Sequence, residues 1–286
     1  MAKIAQDGFE FYIGIDGNRT FSLKGLNLQE ELNYIKNKNI ISIALEDLYL
    51  NGIRDLSFLK EIDFVEEIYT GDTILDYSGI YYLEGLKKIT VFVEKNKPIL
   101  DFSKFKDLEF LSIDWYAKFP DLSNNLKLKE LSIWKFRPKS QSFKEILLPP
   151  NLEFLHITES NILNLESLIC PNLKTFEGYY CSKLESLIGI ENILNIETLI
   201  LDYCGKLTQY DSLEKCTQLK KIILGNCGSL PTLNWLKSLK NVQHFSFWNT
   251  KLENGDVSPC FGVDYVSFKN SKTYNHKSEE FEIKQK

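Results

Sequence analysis

A curved α/β solenoid, with one short parallel strand per turn and short helical or 3-10 turns behind it, is the fold class this sequence predicts. Three observations predict it: an apolar pattern that recurs every 20 to 25 residues, a line of charges whose sign alternates between repeats, and cysteines confined to two places in the repeat. The pattern is L-x-x-L-x-L with other apolar residues allowed. It starts at Ile40, Val65, Leu86, Leu108, Leu128, Leu152, Leu173, Ile196, Leu219, Val242 and Val263. Alternation over so few positions makes a strand with one buried face, and a period this short leaves room only for a return and a turn. Each unit therefore buries its apolar side against its neighbours in a stack of about eleven rungs.

The residue after each start tests the register without using leucine. Glu66, Lys87, Glu109, Lys129, Glu153, Lys174, Glu197 and Lys220 alternate in sign through eight consecutive rungs. Stacked parallel strands lie about 4.8 Å apart, so like charges in this column would repel, and alternation removes the penalty. The cysteines give a second ruler. Cys181, Cys204 and Cys227, in YYCSKL, DYCGKL and GNCGSL, recur at intervals of 23 and fall ninth in their rungs. Cys170, Cys216 and Cys260 each precede a pattern start by three residues. Thiols in a line do not make the tetrahedron zinc needs. The ninth place instead predicts a small side chain turned inward to bond backbone groups that the bend leaves unpaired.

This pattern, with Cys where Asn or Cys is usual, resembles the leucine-rich-repeat family, closest to the short bacterial internalin-like type. The resemblance implies a horseshoe spanning residues 40–271 with its parallel sheet on the concave face; Thr70 and Gly178 stand where Leu is usual. Residues 1–39 are expected to cap the amino-terminal end. FEFYIGIDGNRTFSLKG reads as a hairpin around Asp16-Gly17, and LNLQEELNYIKNKN as a helix facing inward with Leu28, Leu32 and Ile35. Residues 272–286 read as a polar tail, expected to be disordered after about Lys277.

Side chains at the third, fifth and seventh places face outward, with the eighth at the rim. Among them are the acids Glu46, Asp47, Glu67, Asp72, Asp114, Glu130, Glu159, Glu177 and Asp202, against Lys88, Lys135, Lys221 and Lys269. The 39 acids and 34 bases of the whole chain fall to 30 and 30 once these nine and four are set aside, so this face accounts for the net charge of -5. A basic protein partner is the expectation. The same columns hold Tyr69, Phe92, Phe110, Trp115, Trp134, Phe154, Tyr179, Tyr180, Tyr203, Trp248 and Tyr265. Aromatics suit strands for their own sake, but Trp and Tyr are also the residues most enriched in interface hot spots. The residues expected to bind are Glu46, Glu67, Tyr69, Phe92, Phe110, Asp114, Trp115, Glu130, Trp134, Phe154, Glu159, Glu177, Tyr179, Tyr180, Asp202, Tyr203 and Trp248.

Catalysis finds little support. His156 and His244 fall four rungs apart, and His276 lies in the tail. There is no phosphate-cradling G-x-x-x-x-G-K-[ST], no H-E-x-x-H and no C-x-x-C. A binding module without cofactor or metal is expected, not an enzyme. Aromatics interleaved with carboxylates argue against nucleic acid. No run of about 18 apolar residues and no secretory signal are present, so a cytoplasmic protein, monomeric before complex formation, is expected.

One further likeness concerns function. In SFKNSKTYNHK, Phe268, Asn270, Tyr274, His276 and Lys277 match an F-x-[ND]-x-x-x-Y-x-H-K ending. The chain thereby resembles cytoplasmic bacterial leucine-rich-repeat proteins encoded beside polymorphic toxins. That resemblance implies an immunity protein whose acidic, aromatic concave face neutralises a cognate basic toxin. A cytoplasmic scaffold or regulatory subunit docking a basic protein segment is the alternative.

Overall fold

A computed structural model of the protein describes residues 2–15, 17–71, 76–92 and 100–281. Two units make up the chain, Met1–Glu130 and Leu131–Lys286. The division into cap, solenoid and tail does not mark that boundary. In the first unit, strands β1 (Ala2–Gln6), β2 (Phe9–Ile13) and β3 (Arg19–Leu23) precede helix α1 (Leu28–Lys38). Then come β4 (Ser42–Leu45), β5 (Glu67–Thr70), β6 (Lys88–Val91) and β7 (Phe110–Asp114). β1, β2 and β3 form an antiparallel meander, and from β3 to β7 each strand pairs parallel with the next. β2 and β3 flank the expected turn, though Asp16 itself lies outside the described residues. β1 was not foreseen, because AKIAQ has exposed residues on both faces and no alternation; its turn to β2 is Asp7-Gly8, both at positive φ, the Asp-Gly signature of a tight hairpin.

Strand β8 (Glu130–Trp134) contains the boundary. The second unit continues with β9 (Phe154–Thr158), β10 (Thr175–Tyr179), β11 (Thr198–Asp202), β12 (Lys221–Gly225), β13 (His244–Trp248) and β14 (Tyr265–Phe268), paired parallel in chain order. Phe154, Thr175, Thr198, Lys221, His244 and Tyr265 align in one column, all third in their rungs. The fourth and sixth places form the core. Leu155, Ile157, Leu199, Leu201, Ile222, Leu224 and Phe245 are fully buried. Thr70 is buried as well, and the space beside Gly178 is filled by Leu201, Cys181 and Phe176. The chain is a leucine-rich-repeat solenoid by this repeated unit, with 3-10 turns such as Ser57–Glu61, Asp211–Lys215 and Asn234–Ser238 opposite the strands.

The charge column ties rungs together at the strand entrance. Lys87 bonds Glu66 at 2.7 Å, Lys174 bonds Glu153 at 2.6 Å and Lys220 bonds Glu197 at 2.8 Å. On the opposite side a motif that pattern-reading did not find recurs, Asp-x-Ser. The carboxylates of Asp55, Asp76, Asp101, Asp121 and Asp256 accept the N–H of the serine two residues on, at 2.8 to 3.1 Å. These Asx turns start the return segment by supplying a backbone donor with an acceptor. Hydrogen bonds from Ser57, Ser103, Ser123 and Ser258 hold Asp55, Asp101, Asp121 and Asp256 below the usual carboxyl range.

At the strand exit, the eighth place turns left-handed. Asp47, Lys135, Glu159, Tyr180, Tyr203, Asn226 and Asn249 have φ between 46° and 56°. On four successive rungs of the second unit the rim N–H donates to the seventh-place carbonyl of the next rung: Glu159 to Tyr179, Tyr180 to Asp202, Tyr203 to Gly225 and Asn226 to Trp248, at 2.9 to 3.0 Å. That ladder fixes the conformation whatever the side chain. The ninth residue then points inward. Cys204 donates toward the Gly178 carbonyl at 3.7 Å and Cys227 toward Leu201 at 3.6 Å, while Thr250 takes the same role toward Leu224 at 3.4 Å. Hydrogen bonding to Cys204, then burial, pushes the Cys181 and Cys227 thiols up. The same contacts pull Cys204 downward. Its sulfur is nonetheless fully buried and faces the carbonyls of Gly178 and Asp202, which favour the protonated donor, so we read the column as thiols. Burial pushes Cys170, Cys216 and Cys260 up to about 12.

The carboxy-terminal segment corrects the expectation of a disordered tail after Lys277: its described part is a fitted cap. A 3-10 turn at Ser278–Phe281 brings Phe281 to 5.9 Å from Phe268 and 4.7 Å from Phe261. Tyr274 lies 5.7 Å from Phe268, and its hydroxyl accepts the Leu252 N–H. Asn275 accepts from Val257 N–H and donates to Asp256 and Ser258. Asn270 accepts from Ser278 N–H and donates to Glu279. Removing the Phe281 ring opens the last rung to water, so Phe281→Ala is expected to lower the unfolding free energy by about 3 kcal/mol in urea titrations. Cys204→Thr, which copies Thr250, is expected to stay within about 1 kcal/mol of the parent, whereas Cys204→Leu overpacks and costs about 1–3 kcal/mol.

Candidate functional site

The sheet face away from the core carries the candidate site, and the two units differ there. In the first unit, a hollow of about 350 Å³ is lined by Tyr12, Thr20, Glu46, Glu67, Tyr69 and Phe92 among others. Glu46 accepts hydrogen bonds from the hydroxyls of Tyr12 and Ser22, with the Lys3 ammonium 3.6 Å away. Burial opposes its ionisation, but those hydroxyls and Lys3 outweigh burial and hold the carboxyl below its usual range. Glu67 pairs with Lys88 at 2.8 Å. Glu46 is thus an ionised anchor in a partly aromatic hollow, and Glu67 is tied to Lys88 beside it.

Further along the first unit, Phe110 is half-buried and Glu130 exposed, but Asp114 and Trp115 are only 6% and 8% exposed. Their expected outward display is corrected. Trp115 sits eighth in its rung yet lacks the left-handed φ, so its ring turns in and stacks on Phe119 at 4.9 Å. Tyr116 follows it at the ninth place, where Ser160, Cys181, Cys204, Cys227 and Thr250 stand in the second unit, and burial pushes its hydroxyl up to about 12. Asp72 lies outside the described residues.

In the second unit, Trp134, Phe154, Glu159, Glu177, Tyr179, Tyr180, Asp202, Tyr203 and Trp248 are half-buried or exposed at their expected places. Aromatic contacts join neighbouring rungs: Trp134 to His156 at 5.6 Å, His156 to Tyr179 at 5.2 Å, and Tyr180 to Tyr203 at 4.6 Å with planes 9° apart. The Trp248 indole sits against Gly225, where a methyl group would collide with both the indole and the Asp202 carboxylate. Asp202 Oδ1 accepts the Tyr203 N–H and the Asn226 amide, at 3.0 and 2.8 Å. Burial, then Glu177 and Asp202, push the Tyr179 hydroxyl up.

Charge is distributed otherwise than the whole-face tally implied. Among the described residues, outward acids exceed bases in the first unit, Glu46, Asp47, Glu67 and Glu130 against Lys88. The second unit is balanced, with Glu159, Glu177 and Asp202 against Lys135, Lys221 and Lys269, and Arg137 also reaches Glu159 at 3.3 Å. Its acids cluster on three successive rungs, β9 to β11, which carry no lysine or arginine at outward places.

Tyr180 and Tyr203 stand apart in this surface. Their column uses Asn, which tolerates the left-handed region, at Asn226 and Asn249. A left-handed tyrosine costs on the order of 1 kcal/mol or more, yet two adjacent rungs keep one. Both rings remain about half exposed, at 51% and 47%.

The structure does not gather the three histidines: His156 is on β9, His244 on β13 and His276 in the carboxy-terminal cap. Among the described residues, no cluster of His, Cys, Asp or Glu could hold a metal ion, and no helix is long and apolar enough to cross a membrane.

No family model matches the chain, and no curated protein matches it. Solved structures similar to it include internalin C2 from Listeria monocytogenes, at 16% identity and TM-score 0.39, covering 73% of this chain and 83% of that one. A leucine-rich-repeat protein from Leptospira interrogans is similar at 14% identity and TM-score 0.44, covering 86% and 76%. The functional domain of InlJ from Listeria monocytogenes, which includes a cysteine ladder, is similar at 14% identity and TM-score 0.40, covering 80% and 62%.

Burial, with Lys221 nearby, holds the His244 imidazole below its usual range. An unfolded histidine, with pKa about 6.5, takes up protons more readily, so this contribution to stability is present above about pH 6.5 and fades as the pH falls through the folded value. Thermal melts should show His244→Asn losing less stability than the parent between about pH 7.5 and 5.5.

Proposed function

We propose that this chain is a protein-binding module that docks a basic segment of its partner on the outward sheet face. The observation that carries the reading is the pairing of aromatic contacts with carboxylates on that face. Trp134, His156 and Tyr179 form one run, Tyr180 and Tyr203 another, and Glu177 and Asp202 lie beside them. Exposed aromatic area supplies desolvation energy, and ionised carboxylates select a cationic partner and speed its approach. The first unit adds Glu46 and Glu67 in the hollow shared with Tyr69 and Phe92. Six free cysteines, all buried, suit a reducing cytoplasm.

Within that reading we favour an immunity protein that neutralises a basic toxin. A fixed, preorganised surface serves tight binding to one partner, because little side-chain ordering is left to pay at association. A scaffold or regulatory subunit is the second reading, and one observation favours it. The residues of the F-x-N-x-x-x-Y-x-H-K ending have structural work in the cap: Phe268, Tyr274 and Asn270 pack or bond there, and His276 lies 5.0 Å from Phe261 and 3.0 Å from Glu280.

Co-expression with the product of the neighbouring gene separates the readings. Immunity predicts rescue of growth and a one-to-one complex of nanomolar or tighter affinity. Trp134→Ala together with charge reversal at Glu177 and Asp202 should weaken that complex at least tenfold by calorimetry. Absence of a toxic neighbour, or full protection by this triple variant, contradicts the immunity reading.

A further inference from the structure

We propose that the stacked Tyr180–Tyr203 pair is an anchor for an arginine side chain of the partner, with its guanidinium packed against the outer face of the stack and a bond to the Asp202 carboxylate. The proposal rests on the reading of this face as a docking surface for a basic protein, and it adds the residue type and the place.

The rim conformation comes first. Tyr180 and Tyr203 hold φ of 53° and 56°, fixed by N–H bonds to the carbonyls of Asp202 and Gly225, both on the next rung. The backbone would keep that shape with any side chain, and Asn226 and Asn249 continue the same column with a residue better suited to it. Lys135 and Glu159 share that conformation, so the backbone does not call for tyrosine at either rung; what is particular to Tyr180 and Tyr203 is a pair of half-exposed rings in contact. The rings lie 4.6 Å apart and 9° from parallel, a face-to-face stack that presents one phenol face at its end and the ring edges along its side.

Charge then selects the occupant. β9, β10 and β11 carry Glu159, Glu177 and Asp202 and no outward lysine or arginine, so a cation is favoured there. The Asp202 carboxylate is held in place beside the stack by the Tyr203 N–H and the Asn226 amide, and both bonds fall on Oδ1. A planar cation that stacks on an aromatic face and also offers a fork of N–H donors is a guanidinium; an ammonium has the charge but neither the plane nor the fork. Glu159, next to Tyr180 in the column, already shows this preference by taking Arg137 at its carboxylate and backbone carbonyl.

The test uses the full chain with ring-labelled tyrosine, titrated with triarginine, trilysine, tricitrulline and, as a neutral carbohydrate, maltotriose. Triarginine is expected to shift the Tyr180 and Tyr203 resonances and to bind at least fivefold tighter than trilysine and tenfold tighter than tricitrulline. Tyr180→Asn with Tyr203→Asn should weaken triarginine at least fivefold while unfolding at the same or a higher urea concentration. Tyr203→Phe, which keeps the ring, should bind as the parent does. Equal binding of trilysine or tricitrulline, or tyrosine shifts with maltotriose but not triarginine, overturns the proposal. If triarginine binding survives the double variant and is lost in Glu46→Gln with Glu67→Gln, the tyrosine anchor fails but the basic-partner reading stands. If no cationic peptide binds at all, both fall.

Discussion

The structure depends on how each rung ends. From β9 to β12 the chain turns, after each strand, through one left-handed residue whose N–H is tied to the next rung, and at Cys204, Cys227 and Thr250 a small ninth side chain bonds carbonyls behind it. That two-residue device sets the register of the stack, because a one-residue slip would place the small inward residue on the outside and the core residues on the rim. It also separates two kinds of choice. The ninth residue is constrained by the carbonyls it meets, so Cys181, Cys204, Cys227 and Thr250 share a column. The eighth is constrained only in its backbone, so its side chain is available for function.

Much of this was legible in the sequence because repetition multiplies a weak signal. Eleven apolar starts, a sign-alternating column and two cysteine columns converged on one register, and the strand pairing of β9 through β14 follows it residue by residue. What escaped had no repetition behind it. β1 is a single exposed strand recruited by the Asp7-Gly8 turn. The carboxy-terminal cap is polar in sequence, yet Phe281, Tyr274 and Asn275 close the last rung through contacts that no period announces. Trp115 was assigned outward by counting, and the count failed because its rung lacks the left-handed eighth residue and the ring turns in.

The candidate site was legible in outline and not in its grouping. Column arithmetic places Glu67, Tyr69, Tyr180 and Tyr203 on the outward face, but it cannot see that acids dominate in the first unit and cluster on three rungs in the second. Nor does a list of aromatics show which are neighbours. Tyr180 and Tyr203 are 23 residues apart and nearly parallel, whereas Tyr179, adjacent to Tyr180 in sequence, stacks on His156. The left-handed turn between the seventh and ninth places makes that division, sending successive side chains to different neighbours.

The outward sheet face of the first unit carries the hollow and that of the second the aromatic runs, while apolar residues such as Leu147, Ile169 and Leu194 are exposed elsewhere. The central claim is that the partner sits on the former and not on the latter. Hydroxyl-radical footprinting of the complex with the neighbouring gene product tests it directly. Protection of Tyr69, Phe92, Trp134, Tyr180 and Tyr203 with unchanged labelling of Leu147, Ile169 and Leu194 is the predicted result; protection of the three aliphatic residues with the aromatics still labelled would contradict the account.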